Sequence, residues 1–214
     1  MHMPRKVCFS AIFACLAMLA ATLGWLGTGT LNAQVPPTGN GWQKIPDVPA
    51  NTDFHNVFMA DAHSGIAVGK QLDKGVAYEL QWTGLDSRRD LLRITPVSFN
   101  FRAPLWAAVM VNEEVWAVGE QGLIVHKQKG TWNEVASPVP DAQLLTLQVL
   151  GNGDEGWAGG FRPMPDGRKP EPVLLHYTNG RWQRDDSITG EGRVNALHFS
   201  QGGGWAVGDA GIWR

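Results

Sequence analysis

The sequence predicts an all-β fold, a β-propeller of four-stranded blades with about four blades present. Three observations lead there. Short motifs recur every 40–50 residues. Glycine and tryptophan are abundant, at 26 and 10 of 214 residues. Beyond residue 33 no stretch carries the 3.6-residue apolar period of a helix.

The chain opens on a different pattern. Arg5 and Lys6 precede an almost uncharged run over residues 7–26, and small and polar residues follow. Positive, then apolar, then small is the order of a secretory signal peptide, with the expected cut after Leu31-Asn32-Ala33. Residues 1–33 are therefore read as signal and 34–214 as propeller repeats, placing the protein in the periplasm or outside the cell. The run is also just long enough to span a bilayer, so an uncleaved leader would be a membrane anchor. Once the leader is cut, no membrane association is expected. Cys8 and Cys15 both lie in it. The remaining chain of about 180 residues thus has no disulfide and depends on an apolar core, which a chain of that size can build. Loss of Arg5 and Lys6 leaves 16 basic residues against 20 acidic, a net charge of about −4. That balance argues against nucleic acid as a partner.

The repeat has three markers. The first is "GIAVG", "VWAVG", "GWAGG" and "GWAVG", ending at Gly69, Gly119, Gly160 and Gly208 with spacings of 50, 41 and 48. The second is "GWQKI", "TWNEV" and "RWQRD", with Trp42, Trp132 and Trp182; Leu92 is expected to take the tryptophan's place in the first unit. The third is an apolar run ahead of each first marker: "FHNVFMA", "LWAAVMV", "LLTLQVL" and "VNALHFS". Turn-forming residues follow each of these runs.

Each unit therefore reads as four short strands. In the cleanest copy these are 105–111, 115–118, 123–128 and 132–136, with Gly119 and Gly122 bracketing a turn at Glu120-Gln121. The units run roughly over 41–49, 54–96, 105–136, 144–185 and 194–214. A twisted four-stranded sheet cannot bury both faces alone, and stacking sheets around an axis does so while hiding strand edges. Trp116, Trp132, Trp157, Trp182 and Trp205 are expected to fill the space between blades. The last unit lacks a fourth strand, and the piece at 41–46 has no unit before it. Two readings stay open: pairing of 41–46 with 211–214 to close a four-blade ring, or a truncated piece of a longer propeller.

The pattern at Trp116-Ala117-Val118-Gly119, Gly122-Leu123-Ile124 and Thr131-Trp132 resembles the bacterial BNR-like, WAVG-repeat propeller proteins of Ycf48 type. Gly204-Trp205-Ala206-Val207-Gly208 with Gly211-Ile212 is nearly as close. The resemblance covers residues 41 to 214; Ile66, Leu92 and Gly159 depart from it. It implies blades of a propeller that in this family is commonly seven-bladed. It also implies a non-enzymatic role near that of assembly factors for photosystem II, although the matched residues are scaffold residues. Of the Asp-box of sialidases only Gly130-Thr131-Trp132 remains.

Chemistry is sparse. No metalloprotease, nucleophile-elbow, phosphate-loop or calcium-loop motif occurs. His126 and His176 recur in matching places and read as structural. His55 and His198 flank first strands and are the better candidates to line a central channel. Asp185-Asp186 read as a solvated turn. No cofactor and no metal is expected. Three segments depart from the compact repeat: "KQLDKG" at 70–75, "TGLDSRRD" at 83–90 and "FRPMPDGRKPEP" at 161–172. In the last, Phe161, Arg162, Met164 and Arg168 join apolar surface to guanidinium donors, which suits an interface. The expected function is an exported scaffold that binds another protein through propeller-face loops. A glycan hydrolase or lyase is the alternative, and an inactive fragment, self-associating through open edges near 42–46 and 211–214, is a third reading.

Overall fold

The structure, a computed structural model, describes residues 31–34, 48–83, 91–151, 153–200, 203–209 and 211–214, with side chains left aside at 31–34, 83 and 91. The described residues form four antiparallel sheets in sequence order. Sheet 1 holds β1 (Leu31–Gln34), β2 (Thr52–Met59), β3 (Ser64–Gln71), β4 (Lys74–Thr83) and β5 (Leu91–Pro96), in the spatial order β1-β5-β4-β3-β2. Sheet 2 is β6 (Leu105–Val111), β7 (Glu114–Gly119), β8 (Ile124–Gln128) and β9 (Thr131–Val135). Sheet 3 is β10 (Gln143–Val149), β11 (Gly156–Arg162), β12 (Glu171–Thr178) and β13 (Arg181–Arg184). Sheet 4 has three strands, β14 (Val194–Ser200), β15 (Gly203–Gly208) and β16 (Gly211–Trp213). In sheets 2 to 4 each strand pairs with the next in sequence, as short hairpin connections require.

Three apolar cores lie between successive sheets. Ile66, Val68 and Ala77 of sheet 1 meet Leu105, Ala108 and Val125 of sheet 2. Trp116, Val118 and Ile124 of sheet 2 meet Leu144, Leu175 and Trp182 of sheet 3. Leu174 and Ile188 from the third unit meet Val194 and Ala206 of sheet 4. The sheets are therefore packed one on the next, each presenting one face forward and one back.

The registers repeat from sheet to sheet. Each first strand has a bulge, at His55, Trp106, Leu145 and Asn195, directly after the residue opposite the motif glycine: Phe54↔Gly69, Leu105↔Gly119, Leu144↔Gly160 and Val194↔Gly208. The glycine follows from this geometry. A Cβ at Gly69, Gly119, Gly160 or Gly208 would stand 2.0, 2.0, 1.9 or 1.7 Å from the carbonyl oxygen of Asp53, Pro104, Gln143 or Arg193. Gly119 itself has extended backbone (φ −165°), so its requirement is for space. The turn after it is different: Gln121 (φ 55°) and Gly122 (φ 61°) are left-handed in a 3-10 turn over Glu120–Gly122.

Several expectations are refined. The second, third and fourth strands of the cleanest unit are 114–119, 124–128 and 131–135. In sheet 1 the place of Trp132 and Trp182 belongs to Ile94, two residues beyond Leu92. Trp132 and Trp182 lie opposite Lys127 and Tyr177, and the matching Leu80 faces Ile94, whereas Leu92 faces Trp82. "KQLDKG" forms no loop: its extra residues lengthen β3 and β4 until Gln71 faces Lys74, leaving a two-residue turn with Leu72 at φ 57°. The expected cleavage point after Ala33 falls within β1, which pairs with the edge of β5. The strand expected at 41–46, and with it the ring closure onto 211–214, lies outside the described residues, as does most of 83–90.

Candidate interaction surface

The repeat places one cross-strand pair at the same point of each sheet. Trp116 stacks flat on His126, with ring centroids 3.8 Å apart, and Trp157 on His176 at 4.6 Å. Each imidazole donates from Nε2 to a carboxylate at the start of the second strand, Glu114 as the first residue of β7 at 2.8 Å and Glu155 just before β11 at 3.0 Å. The hydrogen bond of Gln128, then that of His126, holds Glu114 below the usual carboxylate range. In sheet 1 Ile66 and Glu79 occupy the paired places, and in sheet 4 the Arg214 guanidinium lies over the Trp205 ring at 5.4 Å. The recurrent histidines are thus packing elements.

Forward-facing groups also tie each sheet to the next. His55 donates from Nδ1 to the Leu105 carbonyl at 2.7 Å and stacks on Trp106. Gln148 spans the gap to sheet 4, donating to Phe199 O at 2.8 Å and accepting from Phe199 N at 2.6 Å. Trp157 is sandwiched between His176 and Phe199, the latter ring 3.9 Å away. His55, expected as a channel-lining candidate, is thus tied to sheet 2, and the bridging role of Gln148 has no signal in the sequence.

The four residues singled out at 161–172 separate into two kinds. Phe161 and Arg162 are strand residues, opposite Pro172 and Glu171. Arg162 reaches Asp141 at 2.9 Å and Glu171 at 3.1 Å. Glu171 also accepts from Arg184, which holds its carboxyl below the ordinary range, and Arg184 pairs with Asp186 at 2.8 Å. The Arg193 guanidinium covers the Phe161 ring at 4.9 Å. Phe161 and Arg162 are therefore engaged within the chain. Met164 and Arg168 lie in the connecting loop, with Arg168 exposed. The Asp185-Asp186 pair is a turn, with Asp185 accepting from Ser187 N at 2.9 Å. His198 is exposed on β14. Among the described residues no group of three or more His, Cys, Asp or Glu could hold a metal ion. Nor is any described helix long and apolar enough to cross a membrane.

The distinctive surfaces are the outward faces of sheets 1 and 4. On sheet 4, Trp205, Val207 and Ile212 are 49, 40 and 69 % exposed, whereas their equivalents Trp116, Val118 and Ile124 are 2, 0 and 0 % exposed. On sheet 1, Phe54 and Val57 are 41 and 61 % exposed, against 0 and 5 % for the equivalent Leu105 and Ala108. The sheet 1 face also holds a cavity of about 330 Å³ lined by Phe54, Val57, Tyr78, Leu80 and Ile94. Trp205, expected to fill the space between blades, is instead half exposed, because no described sheet lies in front of it, and the exposed residues of sheet 1 were not anticipated from the sequence.

Fold and surface together define a stack of similar antiparallel sheets with exposed apolar side chains at each end, those of sheet 1 confined to β2 because Tyr78, Leu92 and Ile94 behind it are buried. No protein-family model matches the chain, and no curated protein is significantly similar to it.

Proposed function

We propose that this protein is an exported, non-enzymatic scaffold of β-propeller type that works by binding another polypeptide through its open sheet faces. The observation that carries the reading is the pair of exposed apolar clusters, Phe54 and Val57 at one end and Trp205, Val207 and Ile212 at the other, at positions buried or half-buried elsewhere in the repeat. Contiguous exposed apolar surface of this kind marks sites of protein association. The successive sheets and the motif resemblance both support blade-like stacking; export rests on the leader pattern of residues 1–33.

The test is site-specific photo-crosslinking in the compartment where the protein resides. A photoreactive residue replaces Val57 or Ile212 in turn, with Arg168 as the loop comparison. Covalent adducts to protein at 57 and 212 are expected. No protein adduct at either position would end the scaffold reading, and adducts confined to 168 would return the interface to the loop.

A further inference from the structure

We infer that the outer edge of sheet 1, strand β5, is a strand-addition site: the exported protein takes an extended segment of another polypeptide there, antiparallel to β5, in the place that β1 holds in the full chain. This rests on the exported-scaffold reading and adds where a partner is gripped and in what conformation.

The sheets share one plan, but their outer edges differ. Sheets 2 and 3 end at β9 and β13 with no further strand among the described residues, whereas sheet 1 carries β1 beyond β5. β1 runs antiparallel to β5, with Leu31 opposite Ile94, Asn32 opposite Arg93, Ala33 opposite Leu92 and Gln34 opposite Leu91. No hairpin imposes that pairing, since β2, β3 and β4 lie between the two strands in the chain. The composition of the edges accounts for the difference. β9 presents exposed Asn133 and Glu134, and β13 presents exposed Arg181 and Gln183, polar and charged side chains of the kind that keep an edge from pairing. β5, "LLRITP", is mostly apolar, and Arg93 is its one charged residue. Leu92 and Ile94 are buried with Tyr78, so β5 is anchored through its side chains while its outer backbone groups are left for a further strand.

β1 lies where the leader is expected to end. The expected cut after Ala33 removes Leu31, Asn32 and Ala33 and leaves only Gln34 of the strand. Processing thus turns β5 from an inner strand into an edge strand and uncovers a row of backbone N–H and C=O groups. An extended peptide satisfies those groups by adding to the sheet, main-chain hydrogen bonds giving affinity and alternate side chains giving specificity. The register states that specificity. Partner residues opposite Leu92 and Ile94 share the face those two occupy, and the residue between them shares the face of Arg93. The matching segment is extended and free of proline, small or apolar at two alternate places, and uncharged or acidic at the place between. In the precursor, β1 stands in for it.

The experiment takes the processed protein from the compartment to which it is exported, with its amino terminus sequenced. The probe is a labelled peptide of residues 29–36, "GTLNAQVP". Fluorescence anisotropy should show the peptide binding the processed protein. The full 214-residue chain should bind it about 100-fold more weakly, because its own β1 competes at a tethered concentration in the millimolar range against a peptide of about 10 μM affinity. Two further peptides carry N-methyl groups, one on the amides of Leu31 and Ala33, the other on those of Asn32 and Gln34. Alternate amides of an antiparallel strand point to its partner, so one of these peptides should bind about 10-fold or more weakly and the other should be spared. Loss in both, or in neither, overturns strand addition. So does a processed protein that binds no peptide, or an exported protein whose amino terminus still includes Leu31. Any of these with protein crosslinks retained at 57 and 212 sinks the edge site alone. Peptide binding without crosslinks at 57 and 212 upholds the edge site and ends the open-face reading.

Discussion

Replacing Gly160 by alanine isolates the device that sets the repeat. A Cβ there would stand 1.9 Å from Gln143 O and 2.9 Å from both Gln143 C and Leu144 Cα, all backbone atoms of the neighbouring strand. Carbon and carbonyl oxygen ordinarily approach to about 3.3 Å, so β10 and β11 would have to part by about 1.4 Å. Overpacking of this kind costs about 1–3 kcal/mol. Each ladder hydrogen bond lost as the strands separate adds about 1 kcal/mol. We expect a destabilisation of about 3 kcal/mol, or a fall in Tm of about 6–12 °C for a chain of this size. Urea and thermal unfolding followed by circular dichroism would measure it. Gly151→Ala is the comparison, since a Cβ there meets nothing within 4 Å and the backbone is not left-handed. It should change stability by less than about 0.5 kcal/mol. If Gly160→Ala were as mild as Gly151→Ala, the account of the motif glycine as a close-approach residue would be wrong.

Three further outcomes follow from the same geometry. Gly159→Val restores the motif valine yet should destabilise by about 1–3 kcal/mol, because a Cβ would lie 2.6 Å from Val194 Cγ1; Val194→Ala in the same chain should recover part of the loss in a double-mutant unfolding cycle. Trp116→Ala should cost about 3–5 kcal/mol in urea unfolding, since its buried ring contacts His126, Tyr177 and Trp182. Glu171, hydrogen-bonded by Arg184 and flanked by Arg162, has a folded-state pKa below its ordinary 4.5. Its contribution is complete above pH 4.5 and is lost as the pH falls through the lower folded value. Unfolding free energy measured from about pH 6 downward should therefore drop less steeply below pH 4.5 in Glu171→Gln than in the parent.

The strand count per unit and the positions of the first strands were legible because alternation and glycine turns repeat at fixed distance. The motif glycines were equally visible, but their cause was not. It lies in bulges at His55, Trp106, Leu145 and Asn195, which have no common chemistry and emerge only once strands are paired. Register also decided the first unit: Leu92 looks like the tryptophan's substitute by spacing, and a longer hairpin moves that place to Ile94. "KQLDKG" misled for a related reason, since extra residues lengthened two strands and left the turn tight. At 161–172 composition suggested a free guanidinium, yet Arg162 is committed to Asp141 and Glu171, partners that are 21 and 9 residues away in sequence. The open faces were the least legible part. Val57 and Ala108, or Ile212 and Ile124, are alike as sequence and differ only in whether a sheet lies in front of them.

Packing that runs only from each sheet to the next makes the molecule a short one-dimensional array. Sheets 2 and 3 are held on both faces, and sheets 1 and 4 on one face by described residues. In such an array unfolding spreads inward from whichever end is uncovered, so the chain is a graded set of protections and not one uniform block. Amide hydrogens in β7 and β11 should exchange last, and those in β15 and β16 first. Whatever caps the outward face of sheet 4 would then act at a distance, slowing exchange throughout that sheet although it touches only a few side chains.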